Sequence, residues 1–306
     1  MINANKKDLI SQIEALKKKQ NAVILAHNYQ LPEVQEIADF RGDSLELSRM
    51  AAKTEAKVIV FCGVDFMAET ASILSPDKKV IMPDITATCP MANMMSADQL
   101  KALKKKHPQA IAVGYVNTSA EVKAELDVCC TSANAVSVVK ALKDSPEIIF
   151  VPDKYLGDFV AKKTGRNLIY WEGFCPTHIK ITPEDILREK KLHPQALVLV
   201  HPECLPAVCD MADAALSTSQ MCKLVKDSPG KEFIIGTEAG IIYRLKEDNP
   251  GKEFYAASER AICPNMKKTT LEKVLFSLQE LREEVRVSDD IRRRAQKAIN
   301  RMLEIV

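Results

Sequence analysis

Three Cys-Pro pairs stand at nearly even intervals along the chain: "TCPM" around Cys89, "FCPT" around Cys175 and "ICPN" around Cys263, 86 and 88 residues apart. Self-similarity at a long fixed period constrains architecture more than any local motif, because each repeat must be one folding unit. Two further sets of markers keep the same register. The segments "AHNYQ", "GYVNT" and "VHPEC" carry His27, Tyr115 and His201, spaced 88 and 86, and the cysteines follow these markers by 62, 60 and 62 residues. Seventeen residues after the same markers come Ser44 in "GDS", Ser132 in "CTSAN" and Thr218 in "STSQ". A chain marked three times over in this way is expected to fold as three similar lobes of about 87 residues.

Short apolar runs rich in Val and Ile recur throughout: "AVILAH", "VIVFCGV", "KVIMPD", "AIAVGYV", "EIIFVPD", "NLIYWEG", "ALVLVHPE", "FIIGTE" and "EFYAAS". Stretches of helical periodicity such as "SLELSRMAAKT" and "NAVSVVKALKD" lie between them, the alternation of a parallel sheet flanked by helices. The expected fold is therefore α/β: three α/β/α lobes with small parallel sheets, related by pseudo-threefold symmetry around a central active site. Their expected bounds are 1–106 with an N-terminal helix, 107–193 and 194–270. Residues 271–306 read as two amphipathic helices packed on the outside, and "RRRAQK", with acidic neighbours close by, reads as a solvated helix face. Ligands of open α/β sheets bind outside the carboxyl ends of strands, where every marker lies.

The net charge of +2 favours neither nucleic acid nor an acidic partner. The N-terminus spaces Leu9, Ile13 and Leu16 helically among lysines, unlike a secretory signal. No apolar run approaches the ~20 residues of a membrane span, so a cytoplasmic enzyme or binding protein is expected. Nine cysteines are many for a reducing compartment, and their odd number argues against a disulfide framework.

Three thiolates brought to one centre make a metal site. Structural zinc usually takes local Cys-x2-Cys pairs, and here only Cys175 to His178 has a comparable spacing. Electron-transfer clusters take four cysteines, commonly grouped in sequence. A [4Fe-4S] cluster on three thiolates leaves one iron open to act as a Lewis acid on a substrate hydroxyl, which suggests dehydration. The proline after each cysteine fixes the chain's exit from the strand. Ser44, Ser132 and Thr218 each precede a helical run; they read as N-caps, and equally as hydroxyls that with helix N-termini face an anion. His27 with Tyr29, Tyr115 with Asn117, and His201 with Glu203 are i, i+2 pairs on one side of their sheets. Glu203, with imidazoles beside it, is the best candidate for a general base or acid. Cys62, Cys129, Cys130 and Cys222 read as core. Cys204 and Cys209 leave a second metal or redox pair open.

In "HNYQ", "ADFRGDSLELS", "GVDFMAE", "YVNTSAEVKAELDVCCTSANA", "PDKYLG", "WEGFCPTH", "HPEC", "STSQM", "GTEAG" and "CPNMKKTTLE", taken in order, the chain resembles the quinolinate synthases, iron–sulfur enzymes of NAD biosynthesis. The resemblance implies condensation of 2-iminosuccinate with dihydroxyacetone phosphate to quinolinate, phosphate and water. It implies Cys89, Cys175 and Cys263 as cluster ligands, and His27, Ser44, Tyr115, Asn117, Ser132, His201, Glu203 and Thr218 as substrate-binding residues. Tyr29 and Glu203 match the family's proton-transfer residues, with His27 and His201 as helpers. It also implies an aspartate-oxidising enzyme as the source of the imine. Some members carry Cys-x-x-Cys at the third ligand; here the later position is Met266. The alternatives are another cluster-dependent hydro-lyase and a non-catalytic zinc protein with a Cys3His centre.

Overall fold

The computed structural model describes residues 2–305, with side chains from Lys6 onward. Helix α1 (Ile2–Lys19) leads into a pattern of strand and helix that then runs three times. The first pass is β1 (Ala22–His27), α2 (Pro32–Glu36), β2 (Phe40–Gly42), α3 (Ser44–Lys53), β3 (Val58–Cys62), α4 (Asp65–Leu74), β4 (Lys79–Ile81) and α5 (Ala97–Lys106). The second is β5 (Ala110–Tyr115), α6 (Ala120–Lys123), β6 (Val128–Cys130), α7 (Ala135–Ala141), β7 (Glu147–Val151), α8 (Lys154–Thr164), β8 (Ile169–Tyr170) and α9 (Pro183–Leu192). The third is β9 (Leu197–Val200), α10 (Pro206–Met211), β10 (Ala214–Ala215), α11 (Thr218–Asp227), β11 (Glu232–Gly236), α12 (Ile241–Asp248), β12 (Glu253–Ala256) and α13 (Leu271–Glu280). Helix α14 (Asp289–Glu304) closes the chain.

Each pass makes one four-stranded sheet, all parallel, in the same order: β2-β1-β3-β4, β6-β5-β7-β8 and β10-β9-β11-β12. The triplication read from the sequence is thus a triplication of topology. The central strands are continuous apolar runs because helices cover both faces of a parallel sheet; all five residues of β3 are buried.

Nine of the strands coincide with the nine apolar runs. The second strand of each lobe does not: β2, β6 and β10 are two or three residues long. A side chain supplements their brief ladders. Asp39, Asp127 and Asp213 each accept the main-chain N–H of the residue fifteen positions earlier, Ile24, Ala112 and Val198, at 2.7–2.8 Å. These aspartates stand 88 and 86 residues apart, a further set in the repeat. Seven residues after each Cys-Pro cysteine, Ser96, Thr182 and Thr270 cap α5, α9 and α13, accepting N–H bonds from Gln99, Asp185 and Lys273.

Helix α13 packs on α1, and α14 on β6 and α6, so the two last helices cover different lobes. Between them Glu284 makes an antiparallel bridge to Ile81 at the edge of β4, and Val285 N–H donates to Val80. The arginines of "RRRAQK" lie on a charged face: Arg292 pairs with Asp289, and Arg294 with Asp290 and Glu125. The opposite face buries Ala295, Ala298, Ile299 and Met302. Among the described residues no helix is long and apolar enough to cross a membrane.

Candidate active site

The carboxyl ends of all three sheets open on one shared cavity. Its wall contains every residue that the repeat and the resemblance singled out: His27, Tyr29, Ser44, Cys89, Tyr115, Asn117, Ser132, Cys175, His201, Glu203, Thr218 and Cys263. Strand β1 ends at His27, β5 at Tyr115 and β9 just before His201, so the i, i+2 pairs leave their sheets in the same way.

The hydroxyls of Ser44 and Thr218 are not N-caps. Asp43 caps α3, accepting from Leu45 and Glu46 N–H, and Ser217 caps α11, accepting from Gln220 N–H. Ser44 and Thr218 are the first residues of their helices, one position inside the cap. In the middle lobe the turn is held by Asn134, whose side chain accepts Thr131 N–H at 2.8 Å, and Ser132 lies within it. With capping done by neighbours, these hydroxyls are available to the cavity, beside helix N-termini that favour anions.

His27 and His201 are built alike. Nδ1 of each accepts the main-chain N–H two residues on, from Tyr29 at 3.2 Å and Glu203 at 3.3 Å. That leaves the proton on Nε2, which in His201 donates to Ser132 Oγ at 3.1 Å. Burial lowers both imidazoles, to about 3, with His201 adding to the effect on His27. They are neutral donors at physiological pH. The unfolded chain binds protons on these rings below about 6.5 while the folded chain refuses them until about 3. Stability from this source is therefore level above pH 6.5 and falls below it, with a slope approaching about 1.4 kcal/mol per pH unit for each ring. Denaturation midpoints of the apo-protein should drop between pH 7.5 and 5, and less steeply in His201→Gln; midpoints level across that window would refute the assignment.

A chain of hydrogen bonds crosses all three lobes. Tyr29 Oη bonds Thr237 Oγ1 at 2.5 Å, which bonds His178 Nε2 at 2.8 Å. His178 Nδ1 lies 2.9 Å from Glu203 Oε2 and 3.1 Å from Cys175 Sγ, and Tyr115 Oη donates to Glu203 Oε1 at 2.6 Å. His178 also stacks on His201, with ring centroids 4.7 Å apart. Burial alone would push the Glu203 carboxyl up, but His178 beside it and the bonds from His178 and Tyr115 outweigh it and hold the group below the usual range. Burial, and then Glu203, pushes both phenols up, so Tyr29 and Tyr115 stay protonated. Glu203 is accordingly an acceptor between two donors. His178 entered the sequence reading only through its spacing from Cys175, and Thr237 not at all; a threonine after an apolar run has no marker of its own.

The donor set suits an iron–sulfur group. One thiol comes from each lobe, and all three line the same wall. Burial pushes the Cys89 thiol up to about 12 and the Cys175 thiol well above its ordinary value, so thiolates here require a positively charged partner. Asn117 Oδ1, buried in the same wall, has no hydrogen-bond partner among the described residues. Cys175, His178 and Glu203 also offer donor atoms within 4.8 Å of one another, a set that could hold a single metal ion. Met266 lines the cavity and accepts a hydrogen bond from the Gln30 side chain.

The sequence matches known proteins over almost its whole length. The family model "Quinolinate synthetase A protein" matches residues 11–304. The chain belongs to that family. A quinolinate synthase of Thermodesulfovibrio yellowstonii is 56% identical over 298 residues, 97% of this chain and 98% of its own. One of Pelobacter propionicus is 57% identical over 295 residues, covering 96% and 97%. Quinolinate synthase 1 of Methanosarcina acetivorans is 54% identical over 298 residues, covering 97% and 98%. The family consists of iron–sulfur enzymes of NAD biosynthesis, and the three-thiol wall is consistent with that chemistry.

The remaining cysteines are free thiols as well. Cys62, Cys129 and Cys130 are fully buried in the core, and Cys222 packs against it. Cys204 and Cys209 donate to main-chain carbonyls, of Gly236 at 3.4 Å and of His201 at 3.8 Å.

Proposed function

We propose that the cavity condenses 2-iminosuccinate with dihydroxyacetone phosphate, releasing quinolinate, phosphate and two waters, with a [4Fe-4S] cluster held by Cys89, Cys175 and Cys263. The observation that carries this reading is the convergence of one thiol per lobe on a wall shared with the hydrogen-bonded chain from Tyr29 to Tyr115. When bound, such a cluster supplies a Lewis-acidic iron without a protein ligand, suited to the loss of a hydroxyl.

The chain's own groups account for the rest. Ser44, Ser132 and Thr218, with Asn117 and the Nε2–H groups of His27 and His201, suit the carboxylates of the imine. Neutral imidazoles donate there without the fixed charge that would hold product. Glu203, ionised and bonded to His178 and Tyr115, takes a proton from carbon or nitrogen during isomerisation and ring closure. Tyr29, through Thr237 and His178, returns one to the leaving oxygen. The enclosure excludes water from an imine that water would hydrolyse.

The test is product identity. Protein purified under argon, given dihydroxyacetone phosphate and imine generated in situ from aspartate by an oxidase, should form quinolinate detectable by mass. Loss of a hydroxyl without carbon–carbon bond formation would favour a hydro-lyase instead. Iron with acid-labile sulfide is expected in the same sample; stoichiometric zinc without iron would favour the single-ion site at Cys175, His178 and Glu203. A cytoplasmic setting, with an aspartate-oxidising enzyme supplying the imine, follows from the same reading.

A further inference from the structure

Two of the Cys-Pro loops are tied to their own lobe by a carboxylate, and an acid occupies the same place in the third. Asp65 Oδ1 accepts the main-chain N–H of Cys89 at 3.1 Å, and Glu238 Oε1 accepts that of Cys263 at 3.1 Å. In the middle lobe the amide of Cys175 faces the Asp153 carboxyl. The three acids stand 88 and 85 residues apart, each two or three residues beyond the third strand of its lobe, β3, β7 or β11. Each also fastens the turn into the next helix, accepting N–H of Phe66, Leu156 or Gly240 at 2.8 Å. In the first and third lobes one side chain thus joins a strand end, a helix start and a cysteine loop, and Asp153 holds the same place in the second.

Their surroundings differ. Glu238 is paired with Lys267 at 2.9 Å. Asp65 feels the buried ammonium of Lys123, which donates to the Thr118 carbonyl. Asp153 is completely buried with no ion-pair partner among the described residues, and its Oδ2 has no hydrogen-bond partner there. Its link to the loop is reinforced by the main chain, since Lys154 N–H donates to Gly173 at 2.9 Å, two residues before Cys175.

We propose that Asp65, Asp153 and Glu238 are positioning residues that set the directions of the three cysteine sulfurs. The proposal rests on the reading of those cysteines as cluster ligands. The proline after each cysteine restricts its backbone, so fixing the amide on its other side fixes the whole residue and with it the Cα–Cβ vector. Outer partners of metal ligands are commonly worth 10–100-fold in metal affinity, and a helix cap alone has no such effect.

The experiment uses anaerobically prepared holoenzyme and the rate at which iron passes to a ferrous chelator, followed by loss of cluster absorbance. Asp65→Ala, Asp153→Ala and Glu238→Ala should each release iron about tenfold faster than the parent or more. Asp65→Asn, whose amide oxygen still accepts the Cys89 N–H, should restore the rate to within about threefold of the parent. Thr182→Ala, which removes a helix cap away from the loops, should leave it unchanged. Alanine variants within twofold of the parent, or an equal acceleration by Thr182→Ala, would overturn the proposal. If the alanine variants do not fold, Glu238→Gln decides: loss of a negative charge beside Cys263 should make the reduction potential more positive, and an unmoved potential counts against the role. A parent chain that takes up no iron or sulfide would sink the cluster reading itself, whereas a loaded parent with insensitive variants sinks only this one.

Discussion

A Cys175→Ser chain purified under argon should be folded, colourless and without turnover. A serine hydroxyl in that wall does not ionise to replace a thiolate, and the two thiols that remain come from different lobes and cannot enclose a cluster between them. Iron and acid-labile sulfide should fall to background, while Cys222→Ser, altered at a thiol packed against the core, should keep both. Circular dichroism distinguishes loss of the cofactor from loss of the fold. A Cys175→Ser protein with the parent's iron content would remove this residue from the ligand set.

Glu203→Gln should show the opposite pattern, an intact cluster spectrum with kcat lower by about 10²–10⁴-fold, the range for a lost general acid–base group. Glutamine occupies the same volume between His178 and Tyr115, so binding of the imine should change less than turnover. Because its partners hold the Glu203 carboxyl below the usual range, the parent should lose no activity through this group on mild acidification. Thr237→Val, which cuts the link from Tyr29 to His178 and leaves Glu203 in place, should give a smaller loss in kcat at similar KM. Turnover of Glu203→Gln near that of the parent would show that the proton moves elsewhere.

Much of this site was legible from register alone. His27, Tyr115 and His201 needed no knowledge of chemistry, only the equal spacing of unlike residues at equivalent strand ends. Residues that share a place in the repeat but not a residue type escaped. Asp43, Thr131 and Ser217 occupy one position, yet an aspartate, a threonine and a serine do not announce an equivalence; in the first and third lobes the cap lies one residue before the hydroxyl that the repeat marks. His178 and Thr237 escaped for the opposite reason. They break the threefold pattern, and their importance lies in a contact across 59 residues that no local period encodes. The two-residue strand β10 was invisible because its place depends on Asp213 bonding Val198 as much as on its own apolar character.

The crossing of the C-terminal segment has a bearing on how the polypeptide is made. Glu284 reaches the ribosomal exit 203 residues after Ile81, whose strand edge it covers, and α13 must arrive before α1 has its neighbour. The lobe made first of the three therefore stays unfinished until after the third has been made. Throughout synthesis it presents an open sheet edge and an apolar helix face, the surfaces through which unfinished chains stick to one another and which holding chaperones recognise.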